Sequence, residues 1–472
     1  MNRLAPFAAA LLSACAVGPD YRPPGAPPDA AGRFVDPGIA RVSSAPAEGQ
    51  WWRLFRDPAL DRLVAEALAH NTDVRVAAAN LQRARAVLSE ARVQLLPTTG
   101  TSGSYTRQRV GNAPGFPADE AQTIDFFTVG FDASYEVDLF GRVSRSIEAA
   151  RGDEASAAAA LDASRVAVAA ETARTYADAC SFAAQANVAR ETARLQDVTL
   201  ELTRRLFNAG RGTIRDVDQA AVLAETARSQ VPAFEAERRA ALYALATLTG
   251  RPPAELDQAA AACLTTPSVA TLIPVGDGAA LLARRPDVRQ AERKLAADTA
   301  RIGVETAALY PSIRLLGSTS LGAQTIGDLG KGSSFSFSMG PLITWTFPNI
   351  GVARSRVRQA EAGATASLAE FDGTVLNALK EVEQALARYA GELDRNAALR
   401  RAEASASNAA RISALRYEAG RDNLFQRIDS ERDRATRRTA LAQSDAALAD
   451  AQVSLFKALG GGWELAPQAT RR

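Results

Sequence analysis

From Asp125 the chain alternates. Phe127, Val129, Phe131, Ala133, Tyr135, Val137 and Leu139 share one parity, and Thr128, Gly130, Asp132, Ser134, Glu136 and Asp138 share the other. That is period 2, the mark of a strand with one apolar and one polar face. At Phe140-Gly141-Arg142 the period changes. From there to Asn208 there is no proline, alanine is abundant, and apolar residues step by 3 and 4. A helix about 100 Å long is expected, at ~1.5 Å per residue. A soluble domain of ordinary size has no place for such a helix, whereas a channel that projects far from one membrane does.

Three further stretches alternate. In Pro311–Gly322, Ile313, Leu315 and Leu321 oppose Ser312, Arg314, Ser318 and Ser320. In Ser333–Phe347, Phe335, Phe337, Met339, Ile343, Trp345 and Phe347 oppose Ser336, Ser338, Gly340, Thr344 and Thr346. Pro97–Arg109 is the weakest, full of Thr, Ser and Gly. Each is long enough for a tilted span of about 9–11 residues. Apolar-out, polar-in alternation is the outer-membrane barrel pattern. A soluble β-sandwich would need further strands, and the sequence offers none.

The two halves echo each other. Asp73-Val74-Arg75 and Pro97 recur as Asp287-Val288-Arg289 and Pro311, and Ala209-Gly210-Arg211 and Gly250 recur as Ala419-Gly420-Arg421 and Gly460. One unit is used twice: helix, two strands, long helix, Gly turn, return helix. The second long helix carries a seam of Leu368, Phe371, Val375, Ala378, Val382, Ala385 and Tyr389, and its return helix has Leu441, Leu448 and Leu455 at heptad spacing. Val166, Ala170, Ala173, Ala177, Cys180 and Ala184 make a small-residue seam in the first, which allows close helix approach. Pro232 is expected to kink the first return helix.

The expected domains are a signal peptide at 1–14 and an extended arm at 15–58. The first repeat spans 59–280, with strands 97–109 and 124–140, long helix 141–208 and return helix 212–250. The second spans 281–462, with strands 311–322 and 333–347 and helices 351–418 and 422–460. A tail occupies 463–472. The first helix is expected from Ala59 to about Leu95, after the Trp51-Trp52 pair, which reads as a packing anchor.

Four strands do not close a barrel, since membrane barrels begin at about eight, and hydrocarbon does not tolerate an open sheet edge. Copies must pool their strands. Two copies leave an interior filled by side chains; three make a barrel of twelve strands with room for a passage, and a ring of twelve helices.

Composition removes other classes. Net charge is +2, with 55 basic and 53 acidic residues, which argues against nucleic acid as a partner. After the signal region no apolar run is long enough for a helical membrane span. The single histidine, His70, reads as a polar residue near a helix end. No catalytic constellation, metal-ligand cluster or cofactor loop is found. Three cysteines without CxxC spacing predict no disulfide framework, and Cys180 reads as a packing residue. Leu12-Ser13-Ala14-Cys15 resembles a bacterial lipobox, which makes Cys15 the lipid-attachment residue, and Ala16 after it favours the outer membrane.

Together with the Cys15-Ala16-Val17-Gly18-Pro19-Asp20-Tyr21 start, the Trp51-Trp52 segment, Asp138-Leu139-Phe140-Gly141-Arg142 and the two Ala-Gly turns, the chain resembles the TolC-like outer-membrane efflux proteins, in their NodT-type lipoprotein branch. The resemblance implies a mixed, mainly α fold: a trimeric 12-stranded outer-membrane β-barrel continued by a 12-helix periplasmic α-barrel. It implies a homotrimer working with a periplasmic membrane-fusion adaptor and an RND-type inner-membrane pump. Adaptor contact would fall on Ala209, Gly210 and Arg211 and on Ala419, Gly420 and Arg421. The pore gate would involve Asp429, Asp216, Asp422 and Tyr417. Asp429 matches the family's acidic ring, while Gln426 and Asp422 depart from the gate pattern of some members. Asp132, Glu136 and Asp138 are expected to face the barrel lumen and favour cations. The expected function is a passive exit duct for small molecules. Type I protein secretion and a structural periplasmic coiled-coil lipoprotein are the alternatives.

Overall fold

The computed structural model describes residues 16–25, 32, 34–36, 41–110 and 122–462. The expected signal peptide, Cys15 and the C-terminal tail lie outside the described residues. Two compact units are present. One comprises the N-terminal stretch to Pro24, Asn80–Ala157 and Gln290–Asp372; the other comprises Gly25–Ala79, Ala158–Arg289 and the chain from Gly373.

The elements are α1 (Pro58–His70), α2 (Thr72–Val93), β1 (Thr98–Val110), β2 (Gln122–Val137), α3 (Arg142–Asn208), α4 (Ile214–Leu248), α5 (Gln258–Ala261), α6 (Gly278–Arg284), α7 (Pro286–Ala307), β3 (Ser312–Ala323), β4 (Phe335–Thr344), α8 (Gly351–Glu418) and α9 (Leu424–Ala458). No described helix is long and apolar enough to cross a membrane.

In the first unit the strands form one antiparallel sheet in the order β1-β2-β3-β4. Its register sorts the side chains. Asp132 stands opposite Ser318, which stands opposite Ser338, while Phe131, Thr319 and Phe337 line up on the other face. That other face is apolar and open: Val129, Phe131, Leu315, Phe335, Phe337, Met339 and Ile343 are exposed, Met339 to 86 %. So large an apolar face is not left to water in a soluble protein. β2 starts at Gln122 and ends at Val137, short of the expected Phe140, because Asp138 leaves the ladder to serve α3. β4 spans Phe335–Thr344 rather than Ser333–Phe347: Gly332–Ser334 forms a 3-10 turn, and Trp345 turns its Nε1 to the Leu309 carbonyl at 3.1 Å.

The second unit holds the main core. Trp51, 1 % exposed, stacks on Phe456 with centroids 4.8 Å apart. The α8 seam is buried from Phe371 to Tyr389; only Leu368 at its start is exposed. α4 continues through Pro232.

The first helix is not continuous from Ala59 to Leu95. It breaks at Asn71, whose Oδ1 accepts from the amides of Asp73 and Val74 and whose Nδ2 donates to the Leu248 carbonyl at 3.1 Å. The second repeat breaks at the equivalent Arg285, whose Nη1 donates to the Ala458 carbonyl at 2.9 Å. Burial works against the Arg285 charge, but Asp287 and Glu381 hold it in its protonated form. In both repeats, therefore, the break residue terminates one helix and bonds the end of the return helix.

The expectation of no disulfide is overturned. Cys180 in α3 is bonded to Cys263, with Cα atoms 5.1 Å apart. Pairing follows three-dimensional approach, and a sequence separation of 83 hides it.

Candidate functional site

The polar face of the sheet is built from small hydroxyls. Ser318 and Ser338 share a hydrogen bond at 3.1 Å, and Ser320 and Ser336 one at 2.8 Å. The three carboxylates expected there have different fates. Asp132 is exposed and has no hydrogen bond or ion pair among the described residues. Glu136 is on this face but is bidentate with Arg142, Nε to Oε1 at 2.6 Å and Nη2 to Oε2 at 2.8 Å, with Arg314 at 3.5 Å. Its charge is matched locally. Asp138 is a correction: it lies beyond β2, and its carboxylate accepts from the amides of Val143 and Ser144, both at 2.8 Å, and from the Ser144 hydroxyl at 2.6 Å. A carboxylate at that position serves the unpaired amides of a helix start. Asp132 therefore remains as the unpartnered charge among the three.

One measurement separates these roles. Asp132→Asn is expected to shift the reversal potential of reconstituted channels toward zero in a salt gradient. Asp138→Ala is expected to leave it in place while costing about 1 kcal/mol of stability, the usual scale for a lost cap. Equal effects of both on selectivity would contradict the assignment.

The long helices end in matched turns. After α3, Gly210 has φ +72, and the Arg211 amide reaches back to the Leu206 carbonyl at 2.8 Å. After α8, Gly420 has φ +66, and the Arg421 amide bonds the Arg416 carbonyl at 2.8 Å. Both are left-handed glycine terminations. The return helices start with capping boxes, Thr213 with Asp216 and Asn423 with Gln426. Here Gln426 has a structural task.

The turns place the expected gate residues unequally. Asp216 closes its capping box, and the bonds from the Thr213 hydroxyl and amide hold its carboxyl below the usual carboxylate range. Asp422 is paired with Arg416 Nε at 2.8 Å. Tyr417 lies beneath the Arg427 guanidinium, 5.1 Å from its ring centroid. Asp429 is exposed and has no ion pair among the described residues. A cavity of about 700 Å³ brings the turns together, lined by Arg211, Asp216, Phe425, Asp429 and Arg432 among others. Phe425, 64 % exposed, is not marked by the charge pattern of the turn. Its signal was an aromatic residue two places after a helix cap.

The model of the outer membrane efflux protein family matches residues 63–251 and 279–461. Nodulation protein T of Rhizobium leguminosarum bv. trifolii is 31% identical over 460 residues, which cover 97% of each chain. The toluene efflux pump outer membrane protein TtgF of Pseudomonas putida is 32% identical over 462 residues, 96% of this chain and 95% of that protein. Among solved structures, the outer-membrane channel OprN superposes with a TM-score of 0.88 at 33% identity, over 95% of this chain and 100% of that one. The CmeC outer membrane channel of Campylobacter jejuni gives 0.85 at 22% identity, over 96% of each, a likeness of fold.

Proposed function

Because the chain belongs to the outer membrane efflux protein family, whose members are efflux ducts of the outer membrane, we propose that three copies form the exit duct of a tripartite exporter, joined to a periplasmic adaptor and an RND-type inner-membrane pump. The observation that carries this reading is the sheet: one face apolar and exposed, and β1 and β4 each with an edge unpaired among the described residues. β4 of one copy pairing with β1 of the next satisfies both edges and closes twelve strands, as hydrocarbon demands. The apolar face then meets lipid and the serine-lined face meets water.

Solute passes down a path whose periplasmic end is opened at the two turns, and the pump supplies the energy. Similarity to a toluene pump component supports small molecules as cargo. Asp429, repeated on a threefold axis, gives three carboxylates that repel one another and attract cations. Cys15 carries the lipid, and Ala16 directs the protein to the outer membrane.

Two experiments test this. Detergent-extracted protein is expected to have the mass of three chains and to conduct in planar bilayers; a lone, non-conducting subunit would refute the duct. Single cysteines in place of the exposed Arg211 and Arg421, which avoid the left-handed glycines, are expected to cross-link to co-expressed adaptor. Cross-links at neither position, with the adaptor present and export intact, would remove the turns from the contact.

A further inference from the structure

The residues that follow Cys15 are built into the first unit. The Val17 amide donates to the Phe140 carbonyl at 3.2 Å, and the Tyr21 hydroxyl donates to Glu292 at 2.5 Å. Between them lies Arg145, 6 % exposed. Its Nε donates to the Val17 carbonyl at 3.3 Å, its Nη2 to the Gly18 carbonyl at 3.4 Å and to Asp20 at 2.7 Å, and its Nη1 to Glu148 at 2.8 Å.

Space for this is made by two glycines. A Cβ on Gly18, which has φ +95, would stand 2.4 Å from the Gly303 Cα, and one on Gly303 would stand 2.8 Å from the Arg145 Cγ. A buried guanidinium is costly unless its fork is filled. Residues 17–20 supply all of its acceptors except Glu148. Segment and arginine therefore need each other.

The docking point adjoins a belt of rings. Phe140 stacks on Tyr310 with centroids 4.7 Å apart, and Trp345 stacks on Phe347, also at 4.7 Å, while bonding the Leu309 carbonyl. Amphipathic rings at the end of a spanning segment, here Tyr310 and Trp345, sit at headgroup level. Cys15 is joined directly to Ala16, and Ala16 packs against Gly141: a Cβ on Gly141 would stand 2.8 Å from the Ala16 Cα.

We propose that Arg145 is the positioning residue of a latch that fixes the N-terminal segment beside this belt, so that the acyl chains on Cys15 enter the bilayer at one place on the barrel rim. The lipid is then a fixed part of the barrel's lipid-facing wall instead of the end of a free tether. This rests on the acylation of Cys15 proposed above.

The test feeds cells a diazirine-bearing palmitate, irradiates the membranes, purifies the assembled protein and maps cross-links by mass spectrometry. Wild-type protein is expected to carry the label on Cys15, with cross-links concentrated in peptides containing Phe140, Tyr310 or Trp345. Arg145→Met is expected to lose these several-fold at equal trimer yield, and Arg145→Lys, which keeps the charge without the fork, to retain part of them. Asp20→Ala, at an exposed carboxylate, is the milder variant should Arg145→Met fail to assemble, and is expected to weaken the cross-links in the same direction. A label on Cys15 with scattered wild-type cross-links overturns the latch, as does a pattern that Arg145→Met and Asp20→Ala both leave unchanged. Protein without label on Cys15 overturns the acylation instead.

Discussion

Replacing Met339 with arginine is expected to weaken the assembled barrel strongly. Met339 lies near the middle of β4, opposite Gly317, and is 86 % exposed in one chain. In the closed barrel that exposure is to hydrocarbon. Arginine near the bilayer midplane costs about 2–4 kcal/mol on a lipid-facing barrel position. The cost recurs in every copy, so three chains together lose roughly three times as much. The neighbouring Ser338 points to the opposite, water-filled face, so Ser338→Arg is expected to cost no more than about 1 kcal/mol, the scale of the Ser318 hydrogen bond it loses. Urea titration of vesicle-reconstituted protein, with the trimer followed by chemical cross-linking on gels, measures both. Equal losses for the two variants would mean that the sheet does not separate lipid from water.

The second large effect belongs to the bond between Cys180 and Cys263, which closes a loop across a sequence separation of 83. Loop-closure entropy on that scale gives about 4.5 kcal/mol at 25 °C, at the upper end of what disulfides deliver. Cys180→Ala with Cys263→Ser removes the bond without leaving a free thiol. The expected outcome is a fall of several kcal/mol in unfolding free energy, with no change in the sheet's contribution. Cys180 is fully buried in the α3 seam, and alanine is tolerated at its neighbours Ala177 and Ala184, so repacking adds little. An oxidising compartment suits this bond. Identical mobility of reduced and unreduced protein on denaturing gels, together with full stability of the double variant, would show that the bond does not form.

Regular elements were legible because their causes are local. The period-2 run of β2 and the steps of 3 and 4 in α3 concern residues within a turn or two of each other, and side-chain burial enforces those periods wherever the chain goes. The two Gly turns are local as well, since Gly210 and Gly420 take conformations that a side chain resists. The repeat was visible for the same reason: equal local patterns at equal spacing.

The candidate site was legible in its types but not in its partners. Glu136 and Asp138 share the parity of Asp132, and alternation alone assigns all three to the lumen. What leaves two of them without a free charge is the junction after β2, where Arg142 pairs with Glu136 on that face and the open amides of α3 take Asp138. At the turns, Asp216 and Asp422 are likewise consumed by Thr213 and Arg416. A carboxylate's availability depends on every donor that can reach it, and reach is a property of the folded chain.

The sequence by itself thus determined the strands and their two faces, the long helices and their terminations, the doubling of one unit and the need for sister copies, because each follows from short-range periodicity or from the count of strands. Only the tertiary structure decided that Cys180 meets Cys263, that Asn71 and Arg285 break their helices to hold the return helices, and that Arg145 is filled by the segment after Cys15. Those contacts join residues far apart in the chain, and nothing in local periodicity records which distant groups packing will bring within hydrogen-bonding or bonding distance.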